Sequence, residues 1–518
     1  MIIAVAMCLS VLLCISLMLF MLKGSISFLT MGIDNFIVGM SLCELSKLMV
    51  YFSLVVVLLS VFIMYFSFFY MNNDLPIPRF MMLMVIFVAS MIIMNSSDSC
   101  WITWIGWEGL GVSSYLLIMF YNNWKANNSA ISTILLNRIG DFCLLICMLT
   151  FTQSMQWEFN NTSMTSYLLM LTGIAALAKS AQIPLHSWLP IAMAAPTPVS
   201  SLVHSSTLVV AGTILCIKLN LLYFLPYMGW LCITGYLTSL YSSFMALYEK
   251  DLKKILAYST MSQIALVMFM ICTNLKELML MHIINHALVK ALLFMSIGIF
   301  IIFMFGNQDS RLLHTNSSLF SILVISIVCL LIMCGVTFTS SYYSKEYNLL
   351  FSMKEESMTL LIDLMVFMSF AYSVRLSYLL FRSYNNNITS SKMLYPSLYT
   401  NILLLPLALL NGWIFMSNYS LPINMTWMDN KNFMLVTPLI MLTFFYQWVC
   451  MQAMNNNDTL YSLLNSLPLS IKNLVFNQMK LINMSFNLNM FSFNNSSLIL
   501  WLLGTTLLML TMSFLYFS

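Results

Sequence analysis

Apolar residues run along this chain in stretches of about 18 to 30 positions, parted by short polar turns. An α-helix of that length crosses the roughly 30 Å hydrocarbon layer of a bilayer at 1.5 Å per residue. The pattern predicts about fifteen spans, at 2–22, 47–70, 79–97, 100–121, 129–152, 165–189, 198–218, 226–248, 255–272, 276–305, 317–350, 355–382, 397–416, 433–453 and 497–517. Turn-rich stretches such as YMNNDLPIP, FGNQDSR and SYNNNITSSK lie between them. A transmembrane barrel would instead show alternating segments of roughly ten residues. The expected fold is therefore all-α, a polytopic membrane protein. Residues 454–496 are too polar to span and too long for a simple loop. Stretches such as LYSLLNSL and IKNLVFNQMKLI space their apolar residues as an interfacial helix would, with Pro468 as an interruption. A polar linker is the other reading of the same residues.

Composition sharpens this picture. Of 518 residues, 61% are hydrophobic and only 7% charged, against roughly 25% charged in a soluble domain. The net charge of +4 is scattered, which points away from nucleic acid. The 12 cysteines include no CxxC, and Cys143, Cys147 and Cys272 sit in apolar runs, so they read as small core residues. The N-terminus lacks a basic region, a small-residue cleavage site and the Arg-rich look of an import sequence, so its first helix is expected to be retained. The 47 methionines fit a codon bias as well as a function. Lys and Arg are more frequent after even-numbered spans, which puts the YEKDLKK loop on the inner side.

The charges that remain inside spans are Arg138, Lys179, Lys290, Lys345 and Arg375, with Glu108, Asp141, Glu346 and Asp363. An ionised group at mid-membrane costs at least about 2.5–3.5 kcal/mol, so each needs a partner, water or a function. In HIINHALVKALLF, His282, His286 and Lys290 fall on one helix face. Their spacing resembles zinc-binding helices, but no carboxylate or cysteine joins them, so no metal is expected. In WITWIGWEGLGVSSYLLI, Gly106, Gly109 and Gly111 allow a close helix approach that could bring a cation to Glu108. Arg138 and Asp141, in NRIGDF, can pair on their own helix. In IAALAKSAQIPLHSWLP, Lys179 precedes the helix breaker Pro184. Such a break survives in a membrane where it lines hydrated protein interior, and a lysine beside it can load and release a proton. His204, in PTPVSSLVHSSTLVVAG, reads equally as a relay or a packing donor. Lys345 and Glu346, in TSSYYSKEYN, repeat the lysine theme, and two irregular helices in corresponding halves suggest two inverted repeats.

GWEGLGVSSYLLI, AKSAQIPLHSWLPIAMAAPTPVSSLVHSSTLVVAG, DLKKILAYSTMSQI and HALVKALLF resemble the chain 5 family of NADH–ubiquinone oxidoreductase, the distal antiporter-like membrane subunits of respiratory complex I. The likeness runs from about residue 40 to 350 and rests on layout beyond 380. It implies N-terminal helices at 1–97, a first antiporter-like half-channel at 98–220 and a second at 221–382. Additional helices at 383–453, a lateral helix at 454–496 and an anchor helix at 497–518 complete the implied layout. By resemblance, Glu108 and Lys179 match the family's glutamate–lysine pair, and Arg138 and Asp141 match charged family positions. His204, His282, His286 and Lys290 match its central axis, and Lys345 and Glu346 its exit. Pro184 and Gly335 mark the two helix breaks; the second has no proline before its lysine and relies on Gly335 and hydroxyl residues.

The resemblance implies that redox energy released elsewhere drives proton uptake from the matrix and release outward, with Glu108 as a charge switch on Lys179. NADH, FMN, iron–sulfur clusters and ubiquinone would belong to other subunits; the chain itself has no Gly-rich dinucleotide fingerprint or cysteine cluster. Implied partners are antiporter-like chains 4 and 2, accessory subunits and the bilayer with cardiolipin. The implied location is the mitochondrial inner membrane, with mitochondrial encoding. A stand-alone Mrp-type sodium/proton antiporter, an inert membrane scaffold and a quinone-site enzyme are the rival readings.

Overall fold

The computed structural model describes residues 26–418, apart from short connecting segments between elements. The expected spans at 2–22, 433–453 and 497–517 and the lateral helix at 454–496 lie outside the described residues.

The described body is helical. It comprises α1 (Lys47–Tyr70), α2 (Ile77–Ser96), α3 (Cys100–Ile118), α4 (Trp124–Gln153), α5 (Ser166–Lys179), α6 (Trp188–Ile191), α7 (Thr197–Leu202), α8 (Leu208–Lys218), α9 (Leu225–Tyr248) and α10 (Leu252–Phe269). There follow α11 (Lys276–Phe303), α12 (Phe320–Cys334), α13 (Ser340–Ser352), α14 (Glu356–Arg382) and α15 (Tyr395–Asn418). Most boundaries fall within a few residues of the apolar runs, because run length and polar turns are local properties. By length and apolarity alone, six helices among the described residues can cross a membrane. The halves of the two interrupted runs fall short of that length, α5 and α12 being 14 and 15 residues long.

One element departs from the all-helical pattern. Strands β1 (Ile26–Ile33) and β2 (Phe36–Leu42) pair antiparallel, with Ile33 opposite Phe36 and a register shift between Phe28 and Met31. The sequence carries the signal, Asp-Asn between two apolar runs rich in β-branched and aromatic residues. A second departure concerns cysteine. Cys232 is disulfide-bonded, whereas Cys100, Cys143, Cys147, Cys216, Cys329 and Cys334 are free thiols. Spacing along one chain does not reveal which cysteine finds a partner, because a disulfide depends on two Cβ atoms meeting in space.

The main apolar core draws on residues from Met49 to Ala408, a smaller cluster gathers around Ala246, Tyr258 and Tyr372, and α11 is buried along nearly its whole length. The glycines of α3 act as the sequence suggests. A Cβ at Gly106 would stand 2.7 Å from the Met94 backbone nitrogen, and one at Gly109 would stand 2.9 Å from Ser90 Cβ, so α3 lies directly against α2. Gly106→Val is expected to wedge these helices apart at about 1–3 kcal/mol, read as a lower thermal midpoint of the detergent-solubilised protein. An unchanged midpoint would show that the approach is not tight.

Candidate functional site

α5 stops at Lys179, although apolar sequence continues. Pro184 explains where: in a continuing helix its ring would meet the carbonyl of residue 180, four positions back, and it has no N–H to donate. The chain instead turns through Ala181 at φ 53° and a cis Ile183–Pro184 peptide. Three of the helix-end carbonyls are met by protein groups. Ala176 O accepts the Ser180 N–H at 3.0 Å and Leu177 O accepts the Gln182 N–H at 3.0 Å. Ala178 O accepts the Trp188 indole N–H at 2.9 Å. These bonds help the break sit among buried residues.

Lys179 at this helix end is fully buried. Its ammonium donates to Trp107 O at 2.7 Å and lies 4.7 Å from the Trp107 ring centroid, a cation–π contact. Gly111 faces it, since a Cβ there would stand 3.6 Å from Lys179 Nζ. Two carboxylates, Asp141 and then Glu108, act on it electrostatically. Neither forms an ion pair with it among the described residues. Glu108 is held by Arg138, with Arg138 Nη1 at 2.6 Å from Glu108 Oε2. Arg138 also reaches Asp141 on its own helix, but only to 3.7 Å. Asp141 accepts the Trp107 indole N–H at 2.7 Å. Glu108 thus receives a cation from a neighbouring helix, as the sequence allows, in Arg138, which meets Asp141 on its own helix at longer range, while Lys179 meets Trp107. Trp107 and Glu108 are consecutive on α3 and so point in different directions: Trp107 meets both Lys179 of α5 and Asp141 of α4, and Glu108 meets Arg138 of α4.

The other broken run parts at Gly335, which adopts φ 82°. Its N–H bonds Ile332 O at 3.0 Å and the Val336 N–H bonds Leu331 O at 3.4 Å, the paired closure of a Schellman cap. Lys345, on α13, reaches back across the break and donates to Met333 O at 2.7 Å, Cys334 O at 3.3 Å and Ser369 Oγ at 3.0 Å. The ammonium therefore sits at the negative end of α12. Glu346 does not join it; it is only part-buried and interacts with Tyr342 of its own helix.

Between the breaks runs α11. His282, His286 and Lys290 are all buried on it. His282 Nδ1 bonds Ser344 Oγ at 2.8 Å, one residue from Lys345. Lys290 donates to the Ser259 hydroxyl of α10 and lies 3.4 Å from Leu256 O. His286 faces the backbone of Ser205, without a well-formed hydrogen bond among the described residues. His204 lies in a π-helical turn, Val203–Thr207, that joins α7 to α8. Both its ring nitrogens are buried without a hydrogen-bond partner among the described residues, 6.2 Å ring to ring from Trp188. No three His, Cys, Asp or Glu side chains among the described residues converge as a metal site.

Several basic residues cap helix ends. Arg375 donates to Ala246 O at 2.5 Å and Glu249 O at 2.7 Å, closing the end of α9. Lys218 donates to Met94 O and Ser97 O, both at 2.6 Å, closing α2. Lys253, buried at the start of α10, donates to Ala195 O at 3.1 Å. Sequence reading passed over the carboxamides: Asn285, Asn348, Asn401 and Asn411 are all fully buried. For Asn348 a signal exists, because Ser341, Ser344, Lys345 and Asn348 share one face of α13.

The transmembrane pattern of the NADH:quinone oxidoreductase/Mrp antiporter family matches residues 97–371. NADH-ubiquinone oxidoreductase chain 5 of Caenorhabditis elegans is 38% identical over 339 residues, covering 64% of each chain. That of Artemia franciscana is 39% identical over 334 residues, 63% of this chain and 61% of the relative. The chain thus spans a little under two thirds of the length of these relatives. That of Anopheles arabiensis is 38% identical over 356 residues, 64% of this chain and 91% of the relative. The structure of the Mrp complex from Dietzia sp. DQ12-45-1b contains a chain with TM-score 0.70 at 19% identity, covering 99% of this chain and 60% of that one. The membrane-bound sulfane sulfur reductase, an archaeal respiratory membrane complex, gives TM-score 0.69 at 18% identity, covering 79% and 88%. Interrupted helices, buried lysines and these likenesses agree: the chain belongs to the membrane-spanning NADH:quinone oxidoreductase/Mrp antiporter family.

Proposed function

We propose that this chain is a proton-translocating subunit of respiratory complex I in the mitochondrial inner membrane. The observation that carries the reading is the pair of interrupted helices, each holding a buried lysine at its break, with buried histidines and a third lysine on the helix between them. The relatives named chain 5 of NADH-ubiquinone oxidoreductase support membership of that complex.

In this reading Lys179 takes up a proton through the broken segment that follows α5. Its affinity for that proton depends on Asp141 and Glu108, and Arg138 sets how much of Glu108's charge is free. Parting the Arg138–Glu108 pair strengthens the field on Lys179, and restoring it weakens that field, so Arg138 becomes part of the charge switch. The proton passes along His204, Lys290, His286 and His282 to Lys345, next to which His282 is already bonded through Ser344. Redox groups reside in other subunits and supply only the driving force.

The same geometry supports a membrane partner. The Glu108 and Arg138 side chains keep 18% and 37% of their surface exposed within long apolar helices. Charges there are unfavourable against lipid, so this face is assigned to contact with another antiporter-like subunit, chain 4 or 2, rather than with acyl chains. Cardiolipin and accessory subunits would cover other faces.

Isolation of the native protein tests the reading. The expected result is that the chain travels with a large NADH-oxidising membrane assembly. A chain that purifies without it and exchanges sodium for protons in vesicles would be a Mrp-type antiporter instead.

A further inference from the structure

A second buried network lies beside the break at Gly335, built from two asparagines, a tyrosine hydroxyl and a backbone carbonyl. Tyr51 on α1 donates its hydroxyl to Asn411 Oδ1 on α15 at 2.5 Å. Asn411 Nδ2 donates to Asn285 Oδ1 on α11 at 2.5 Å. Asn285 Nδ2 donates to the backbone carbonyl of Ser340, the first residue of α13, at 2.9 Å. Asn285, Asn411 and Ser340 have 0% exposure.

The direction of this relay follows from its last member. A carbonyl can only accept, so Asn285 must present its NH2 to Ser340 and its oxygen to Asn411. Asn411 must then give its NH2 to Asn285 and turn its oxygen to Tyr51, which donates. One backbone carbonyl thus orients the whole chain of amides. Gly412, next to Asn411, brings α15 into backbone contact with the same residue: a Cβ there would stand 2.7 Å from Ser340 Cα and 2.9 Å from Ser340 O.

Lys345 lies just over one helical turn beyond Ser340, and its ammonium spans the break to Met333 O and Cys334 O. α11 touches α13 at two polar points, Asn285 to Ser340 O and His282 to Ser344. The first fixes where α13 starts, and so sets the register of the second.

We propose that Asn285 and Asn411 are positioning residues that hold the start of α13, and with it Lys345, in register with His282. Through them α1 and α15, which are not part of either broken helix, act on the break. This inference rests on the proton-transfer reading of Lys345.

The test uses the assembled complex in sealed vesicles, with NADH oxidation and proton movement measured together. Asn411→Leu keeps the branched side-chain shape and removes both amide bonds. It is expected to leave NADH oxidation near the wild-type rate and to lower the protons moved per NADH. Adding it to Lys345→Ala should lower that ratio no further, because both act on one group. A purely structural role would reduce the amount of assembled complex and leave the ratio of what assembles intact. A wild-type ratio in assembled Asn411→Leu, or an additive loss in the double variant, overturns the proposal. If Asn411→Leu does not assemble, Tyr51→Phe removes only the outermost donor and should lower the ratio in the same direction but less; a wild-type ratio there overturns it equally. A wild-type ratio in Lys345→Ala alone would instead sink the proton-transfer reading itself.

Discussion

Lys179→Ala should stop most proton movement through the first broken helix while the complex still assembles. The cluster of Glu108, Asp141, Arg138 and Lys179 is neutral when all four are ionised. Removing the lysine leaves one negative charge uncompensated in low-dielectric surroundings, and Trp107 O loses its donor. Breaking a buried charge network costs roughly 3–5 kcal/mol, so some loss of stability accompanies the loss of transport. Lys179→Arg separates the two effects. It restores the positive charge, but a guanidinium does not release its proton in proteins. The expected outcome is normal assembly with transport still lost, measured as protons moved per NADH in vesicles. Normal transport by assembled Lys179→Ala would remove this lysine from the route.

Lys290 offers a cleaner cut. It lies roughly 20 Å along α11 at 1.5 Å per residue, and it meets no carboxylate in an ion pair among the described residues. Its bonds go to the Ser259 hydroxyl and Leu256 O. Replacing it therefore strands no opposite charge. Lys290→Met, which fills the space and avoids the roughly 2–5 kcal/mol loss of a large-to-small core change, should give a stable complex whose proton movement between the two halves is broken. A scaffold without a transport role would pump normally with this variant. The two outcomes are far apart, and the ratio of protons to NADH separates them.

Two kinds of buried cation emerge, and their surroundings distinguish them. Arg375 and Lys218 each close the carbonyl end of a neighbouring helix. Such contacts satisfy orphaned acceptors and complement the helix dipole. Lys179, Lys290 and Lys345 also touch carbonyls or hydroxyls, but they stand near a break or on the helix joining the breaks. Arg375 looked equivalent to Lys345 as a charge inside an apolar run. Only its partners reveal it as a cap.

Much of this architecture was legible in the sequence. Span positions followed from apolar run length, and the stacking of His282, His286 and Lys290 followed from helical periodicity. The close approach of α3 to α2 followed from Gly106 and Gly109, and the end of α5 from Pro184. Each of these depends on residues within a few turns of one another, which is the range over which backbone geometry dictates side-chain placement. What the tertiary structure decided is who meets whom: Arg138 with Glu108, 30 positions away, Lys179 with Trp107, 72 positions away, and Tyr51 with Asn411, 360 positions away. In a membrane interior a polar group cannot fall back on bulk water, so its partner is whatever the packing of distant helices delivers. No local pattern along the chain encodes that choice.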